Sequence, residues 1–149
     1  MTEVFQWPEW AALERAFMPD SNVLLDVISE DPVWSAWSEA ALNLSQATGI
    51  VAINQVIFAE ISPPFGRIED IQAFLQRGRV QLEELPWDAA FLAGQAFREY
   101  RKHGGPRTSP LNDFFIGAHA LLRDYTLITR DPRRYRTYFP NLKLVAPGP

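Results

Sequence analysis

Two short runs constrain this chain most: residues 50–54 (IVAIN) and 125–129 (YTLIT). IVAI is unbroken apolar sequence ahead of Asn54, the pattern of a strand covered on both faces, and YTLIT reads as a second strand. Around them lie segments with apolar residues at helical spacing. Ser21 caps a helical turn over residues 21–28. Pro32 opens a helix to about Ala47, carrying Trp34 and Trp37, and Gly49 ends it. Residues 55–61 and 67–76 are further helices. Pro86 opens a long one closed by Gly104 and Gly105. Residues 109–122 (SPLNDFFIGAHALL) have a built-in start, with Ser109 as N-cap, Pro110 at the first position and a dense apolar run behind them. Residues 16–20, 80–85 and 142–145 are candidate short strands, the first weakened by Pro19. Strands alternating with helices predict one α/β domain, a mostly parallel sheet sandwiched between helix layers.

A chain of 149 residues is long enough for a proper core, and 47% hydrophobic with 21% charged residues is globular composition. There is no cysteine, which excludes disulfides, thiolate metal sites and cysteine nucleophiles. Two histidines, His103 and His119, cannot build a histidine-rich metal site. No run reaches the length of a membrane span and the N-terminus lacks a signal pattern, so no membrane association and a cytoplasmic location are expected. Two readings of residues 1–17 stay open: a short amphipathic helix over 8–17 with Trp10, Leu13 and Phe17 on one side, or an N-terminal extension before a start at Met18; the domain proper spans 18–147. The net charge of −4 is unlike a passive nucleic-acid binder, yet most Lys and Arg fall in the last third. An acidic centre ringed by basic residues has this distribution, and so does an ordinary solvated surface.

In parallel α/β sheets, ligand sites form beyond the carboxyl ends of the strands. Four acids fall at such places. Asp20 ends the first strand, Glu60 lies one short helix beyond IVAIN, Asp113 opens the helix over 109–122, and Asp131 follows YTLIT. Each alone is compatible with a helix-start, edge or turn acid. Four together would repel one another unless a cation compensates, and oxygen-only ligation favours Mg²⁺ or Mn²⁺. Such a cation activates water and stabilises a leaving oxygen, the requirements of phosphodiester hydrolysis. Arg130, Arg133, Arg134 and Arg136 flank the last acid and are candidates to hold phosphates, or equally to be solvated surface. Asp26 and Asp124 read as surface acids and His119 as a hydrogen-bonded structural histidine.

The segments DSNVLLD (20–26), AEI (59–61), DFFIGAHA (113–120) and TRD (129–131) resemble the PIN domain, and more narrowly the VapC toxins of type II toxin–antitoxin pairs. The resemblance runs from about Met18 to Pro147. It implies a PIN-like three-layer sandwich and a Mg²⁺-dependent (or Mn²⁺-dependent) endoribonuclease with Asp20, Glu60, Asp113 and Asp131 as catalytic and metal-ligating acids, supported by Ser21 or Asn22. It also implies a homodimer and a VapB-like antitoxin whose tail lays an arginine-bearing segment against the acids. A non-catalytic PIN-like binding module is the alternative, and the presence of all four acids counts against it. A haloacid-dehalogenase-type phosphatase needs an acid where Asn22 stands, a response-regulator receiver needs a late lysine that TRD does not supply, and a Rossmann glycine fingerprint is missing.

Overall fold

The computed structural model describes residues 3–106 and 111–148. Its centre is a five-stranded, all-parallel sheet in the order β3-β2-β1-β4-β5. The strands are β1 (Ala16–Pro19), β2 (Ile50–Ile53), β3 (Val80–Leu82), β4 (Thr126–Ile128) and β5 (Leu144–Val145). The helices are α1 (Ser21–Ile28), α2 (Ser35–Thr48), α3 (Gln55–Ile61), α4 (Ile68–Arg77), α5 (Trp87–Lys102), α6 (Leu111–Leu122) and α7 (Arg133–Tyr138). This is the α/β sandwich that the alternating pattern predicts.

The period-2 geometry of a strand explains the two cores. Met18 and Leu127 contribute to a core with Leu24, Ile53, Ile57, Phe114 and Ile116. Their chain neighbours Phe17 and Ile128 contribute to another, with Val23, Trp37, Val51 and Val145. Both cores are fully apolar at their centres, which is why β1, β2 and β4 read as nearly continuous hydrophobic runs. α5 meets α6 through Ala89, Ala93 and Ala96, small residues that let two helices approach closely.

Several local expectations need correction. The segment before β1 forms a 3₁₀ turn over Glu9–Leu13 rather than a helix to Phe17, and Phe17 belongs to β1. Trp10 and Leu13 are exposed while Ala11 is buried. Phe5 packs edge-on against Trp37 and Trp7 lies against Phe17, so this stretch covers the second core. Asp20, not Ser21, is the N-cap of α1, because its carboxylate accepts from the Ser21 amide. The helix carrying Trp34 and Trp37 starts at Ser35, since Asp31 turns the chain by accepting from the Val33 and Trp34 amides. β3 stops at Leu82. Ser109 and Pro110 lie outside the described residues.

α7 is an element the sequence pattern does not announce. RRYRTY carries no apolar periodicity, but Tyr135 and the following Phe139 bury against α6. Gly117 makes this contact possible: a Cβ there would stand 2.7 Å from the Phe139 ring and 3.1 Å from Tyr135.

Candidate active site

The topology reverses at β1. From β1 the chain builds outward through β2 and β3, then crosses to the other side for β4 and β5. The carboxyl ends of β1 and β4 therefore flank the crevice in which α/β folds place ligands. Asp20 leaves β1 there, and Thr129, Arg130 and Asp131 leave β4. The register pairs Pro19 with Ile128, and the Asp20 amide donates to the Ile128 carbonyl at 2.8 Å.

Asp20 is the buried member, 5% exposed. Its Oδ1 accepts from the Ser21 amide at 2.8 Å. Its Oδ2 accepts from the Thr129 hydroxyl and the Tyr135 hydroxyl, both at 2.9 Å. These bonds favour the carboxylate, but burial and the nearby charge of Asp113 outweigh them and push Asp20 up to about 7. Tyr135 is held well above the ordinary phenol range by its own burial and by the charge of Asp20, so it stays a donor.

Asp113, in the first turn of α6, is raised by desolvation despite the Arg134 guanidinium bonded to it, and the charges of Glu60 and Asp131 push the same way. The charges of Glu60 and Asp131 thus bear on Asp113, and that of Asp113 bears on Asp20. Glu60, on α3, is oriented from two sides: the Ser21 hydroxyl donates to Oε1, and Asn112 Nδ2 donates to Oε2 at 3.3 Å. Asp131 is exposed, and its amide donates to Thr129 Oγ1 at 3.1 Å. Asn22 donates to the same Thr129 oxygen at 3.3 Å and accepts from the Arg130 amide. Ser21 and Asn22 thus divide the supporting work, one on Glu60 and one on the β4–α7 turn.

Three of the arginines occupy different settings. Arg134 donates to Asp113 Oδ2 at 2.6 Å. Arg130 donates through Nε to Asp26 Oδ2 at 2.8 Å and lies over the Trp34 ring. Arg133 is exposed. Asp26 is corrected from a surface acid to a buried one, 2% exposed, because Ser38 and Arg130 together satisfy it. Asp124 is exposed.

His119 is fully buried and structural. Asn54 caps α3 by accepting from the Ile57 amide, and its Nδ2 donates to His119 Nδ1 at 3.0 Å. Nδ1 therefore lacks a proton, leaving it on Nε2, which faces Glu83 at 3.7 Å. Burial lowers the His119 pKa. The Asn54–His119 bond ties α3 to α6, the helices carrying Glu60 and Asp113.

Thr129, Tyr135 and Asn112 escape the sequence reading. Thr129 sits within TRD and is recognisable only as part of that motif. Tyr135 and Asn112 carry no local signal, since a buried hydroxyl or amide partner is defined by tertiary contact alone.

The donor chemistry, oxygen-only and acidic, fits a hard divalent cation. Among the described residues, however, no three Asp, Glu or His side chains are gathered closely enough to hold one. Arg134 supplies the positive charge beside Asp113 in this arrangement.

The PIN domain family matches residues 17–140. The chain belongs to the PIN domain family. No curated protein matches its sequence significantly. Among solved structures, VapBC2 from Rickettsia felis bound to a promoter DNA fragment is 21% identical, covering 88% of this chain and 98% of that one, with a TM-score of 0.68. DNA-bound VapBC from Salmonella typhimurium is 22% identical over 89% and 98%, with a TM-score of 0.66. A toxin–antitoxin complex from Klebsiella pneumoniae is 21% identical over 85% and 95%, with a TM-score of 0.62. The PIN fold expected from the four motifs is therefore the fold observed. Among the described residues, no helix is long and apolar enough to cross a membrane.

Proposed function

We propose that this PIN domain is a divalent-cation-dependent endoribonuclease of the VapC type, a toxin neutralised by a VapB-like antitoxin. The observation that carries the reading is the crevice at the switch point between β1 and β4, where burial raises both Asp20 and Asp113 and the charge of Asp113 adds to the shift of Asp20. A fold does not by itself keep two carboxylates at elevated pKa in one crevice, and a bound Mg²⁺ or Mn²⁺ would relieve both. The likeness of the fold to chains in VapBC complexes supports the choice of class.

In this reading Asp20, Asp113, Glu60 and Asp131 would hold the cation, directly or through water. When bound, the cation supplies an activated water and stabilises the leaving oxygen. The chain's own work is positional. Thr129 and Tyr135 aim Asp20, Ser21 and Asn112 aim Glu60, and Arg133 presents an exposed charge to phosphates. The positively charged segment beside the acids lets an overall acidic protein approach RNA. A homodimer belongs to the same proposal. Trp87 and Phe91, one turn apart on α5 and 92% and 70% exposed, are apolar surface of the kind protein partners bury.

Cleavage of total RNA by the purified, antitoxin-free protein tests the reading, with Mg²⁺ or Mn²⁺ and with EDTA, wild type beside Asp113→Asn. Cation-dependent cleavage abolished in the variant is the expected result. Equal cleavage by both overturns the assignment of Asp113. The absence of a gathered ligand triad among the described residues favours the second reading, a non-catalytic PIN-like binding module. That reading predicts no cleavage and no growth arrest on expression.

A further inference from the structure

Among the described residues, one basic side chain is bonded to an acid of the crevice. Arg134 Nη1 donates to Asp113 Oδ2 at 2.6 Å, and its guanidinium carbon lies 5.9 Å from the centre of the Tyr100 ring. Both charged side chains are largely withdrawn from solvent, 37% and 32% exposed, unlike the open surface pair Arg67–Glu69 at 71% and 59%. Arg133 and Arg136, on the same short helix, are exposed and make no ion pair among the described residues. The contact with Asp113 is thus particular to Arg134, not a property of a basic helix.

A guanidinium and a hard divalent cation compete for the same carboxylate oxygen, because the N–H donors of one and the metal ion each need its lone pairs. We propose that Arg134 is a displaceable counter-charge: it holds Asp113 in the cation-free chain and must release that oxygen for a divalent cation to bind. This rests on reading the acids as a cation site. Two observations support it. Among the described residues Arg134 makes the only ion pair to any of the four acids Asp20, Glu60, Asp113 and Asp131, so it is their one direct counter-charge. In the arrangement where Arg134 holds Asp113, no triad of carboxylates closes around one point among the described residues. Release needs only rotation of a long side chain whose planar group already rests against an aromatic face, a position it can leave without unfolding α7.

The test is Mn²⁺ binding by titration calorimetry on the full chain, with thermal unfolding in EDTA and in Mn²⁺. Arg134→Gln should bind Mn²⁺ roughly tenfold more tightly than wild type, the scale of one lost charge-assisted competitor. Its Tm in EDTA should fall below wild type, and Mn²⁺ should raise it by more than it raises wild type. Arg134→Lys, which keeps the charge but not the fork, should lie between the two. Arg133→Gln removes an equal charge from the same helix and should leave Mn²⁺ affinity near wild type. Wild-type Mn²⁺ affinity in both Arg134 variants overturns the displacement while leaving the cation site standing. Equal tightening by Arg133→Gln and Arg134→Gln overturns it too, since a general field would then explain the gain. No Mn²⁺ binding by wild type or any variant overturns the cation site and the displacement together.

Discussion

Three donors reach Asp20, yet its carboxyl still titrates near 7, because burial and the charge of Asp113 outweigh what the donors return. In the unfolded chain the same group ionises near 3.8. The cation-free folded protein therefore holds a proton that the unfolded chain gives up. That contribution is fully present below pH 4 and is lost as pH rises through 7, so stability in EDTA should fall across this window. Asp20→Asn removes this titration, so its stability in EDTA should fall less than wild type's as pH rises from 4 to 8 and exceed wild type at pH 8 by up to about 4 kcal/mol. Urea melts at several pH values check this, and added Mn²⁺ should stabilise only the wild type. Tyr135→Phe acts in the opposite sense. Losing one donor should cost about 1 kcal/mol and raise the pKa of Asp20 further. Where RNA cleavage depends on that carboxylate, the acid limb of the pH–rate profile should then move to higher pH. The four acids stand out in the sequence because Asp20 and Asp131 follow strands, Glu60 lies near the end of a short helix and Asp113 in the first turn of another. Asp26 was misread because its partners, Ser38 and Arg130, come from α2 and the turn after β4. No local pattern shows that a helical acid will be buried.

Elements were legible in proportion to how much of their stability is written locally. IVAIN and YTLIT are apolar enough to announce buried strands, and α5 and α6 carry long periodic faces. β1 is the opposite case: AFMP has weak strand propensity and contains a proline. It becomes the central strand because β2 and β4 pair with it on both sides, with Pro19 tolerated at its very end. α7 is similar, a basic hexamer made helical by burying Tyr135 and by leading into Phe139. That dependence is testable at Gly117. Gly117→Ala puts a methyl group against the Phe139 and Tyr135 rings and should destabilise the protein by about 2 kcal/mol, measured by denaturant unfolding. The same variant should also lose RNA cleavage beyond what its stability loss explains, because displacing α7 carries the Tyr135 hydroxyl away from Asp20. His119 plays a comparable part between α3 and α6. Its imidazole is neutral in the fold and charges readily once unfolded, so acidification below about pH 6.5 should weaken this tie.

At the scale of the whole molecule, the site is assembled from distant stretches of chain. The hydroxyls that hold Asp20 come from Thr129 and Tyr135, 109 and 115 residues further on. Glu60 takes a hydrogen bond from Ser21, 39 residues before it, and another from Asn112, 52 residues after it. A chain ending at Pro132 keeps all four acids but lacks α7 and β5. It should show neither Mn²⁺-induced stabilisation nor cleavage, with thermal unfolding and the RNA assay as readouts. The same spacing bears on how such a protein is made. During synthesis Asp20 leaves the ribosome 115 residues ahead of Tyr135, so the crevice cannot form until α7 has emerged. Translation order thus acts as a safety catch, keeping the crevice unassembled until α7 is free to fold.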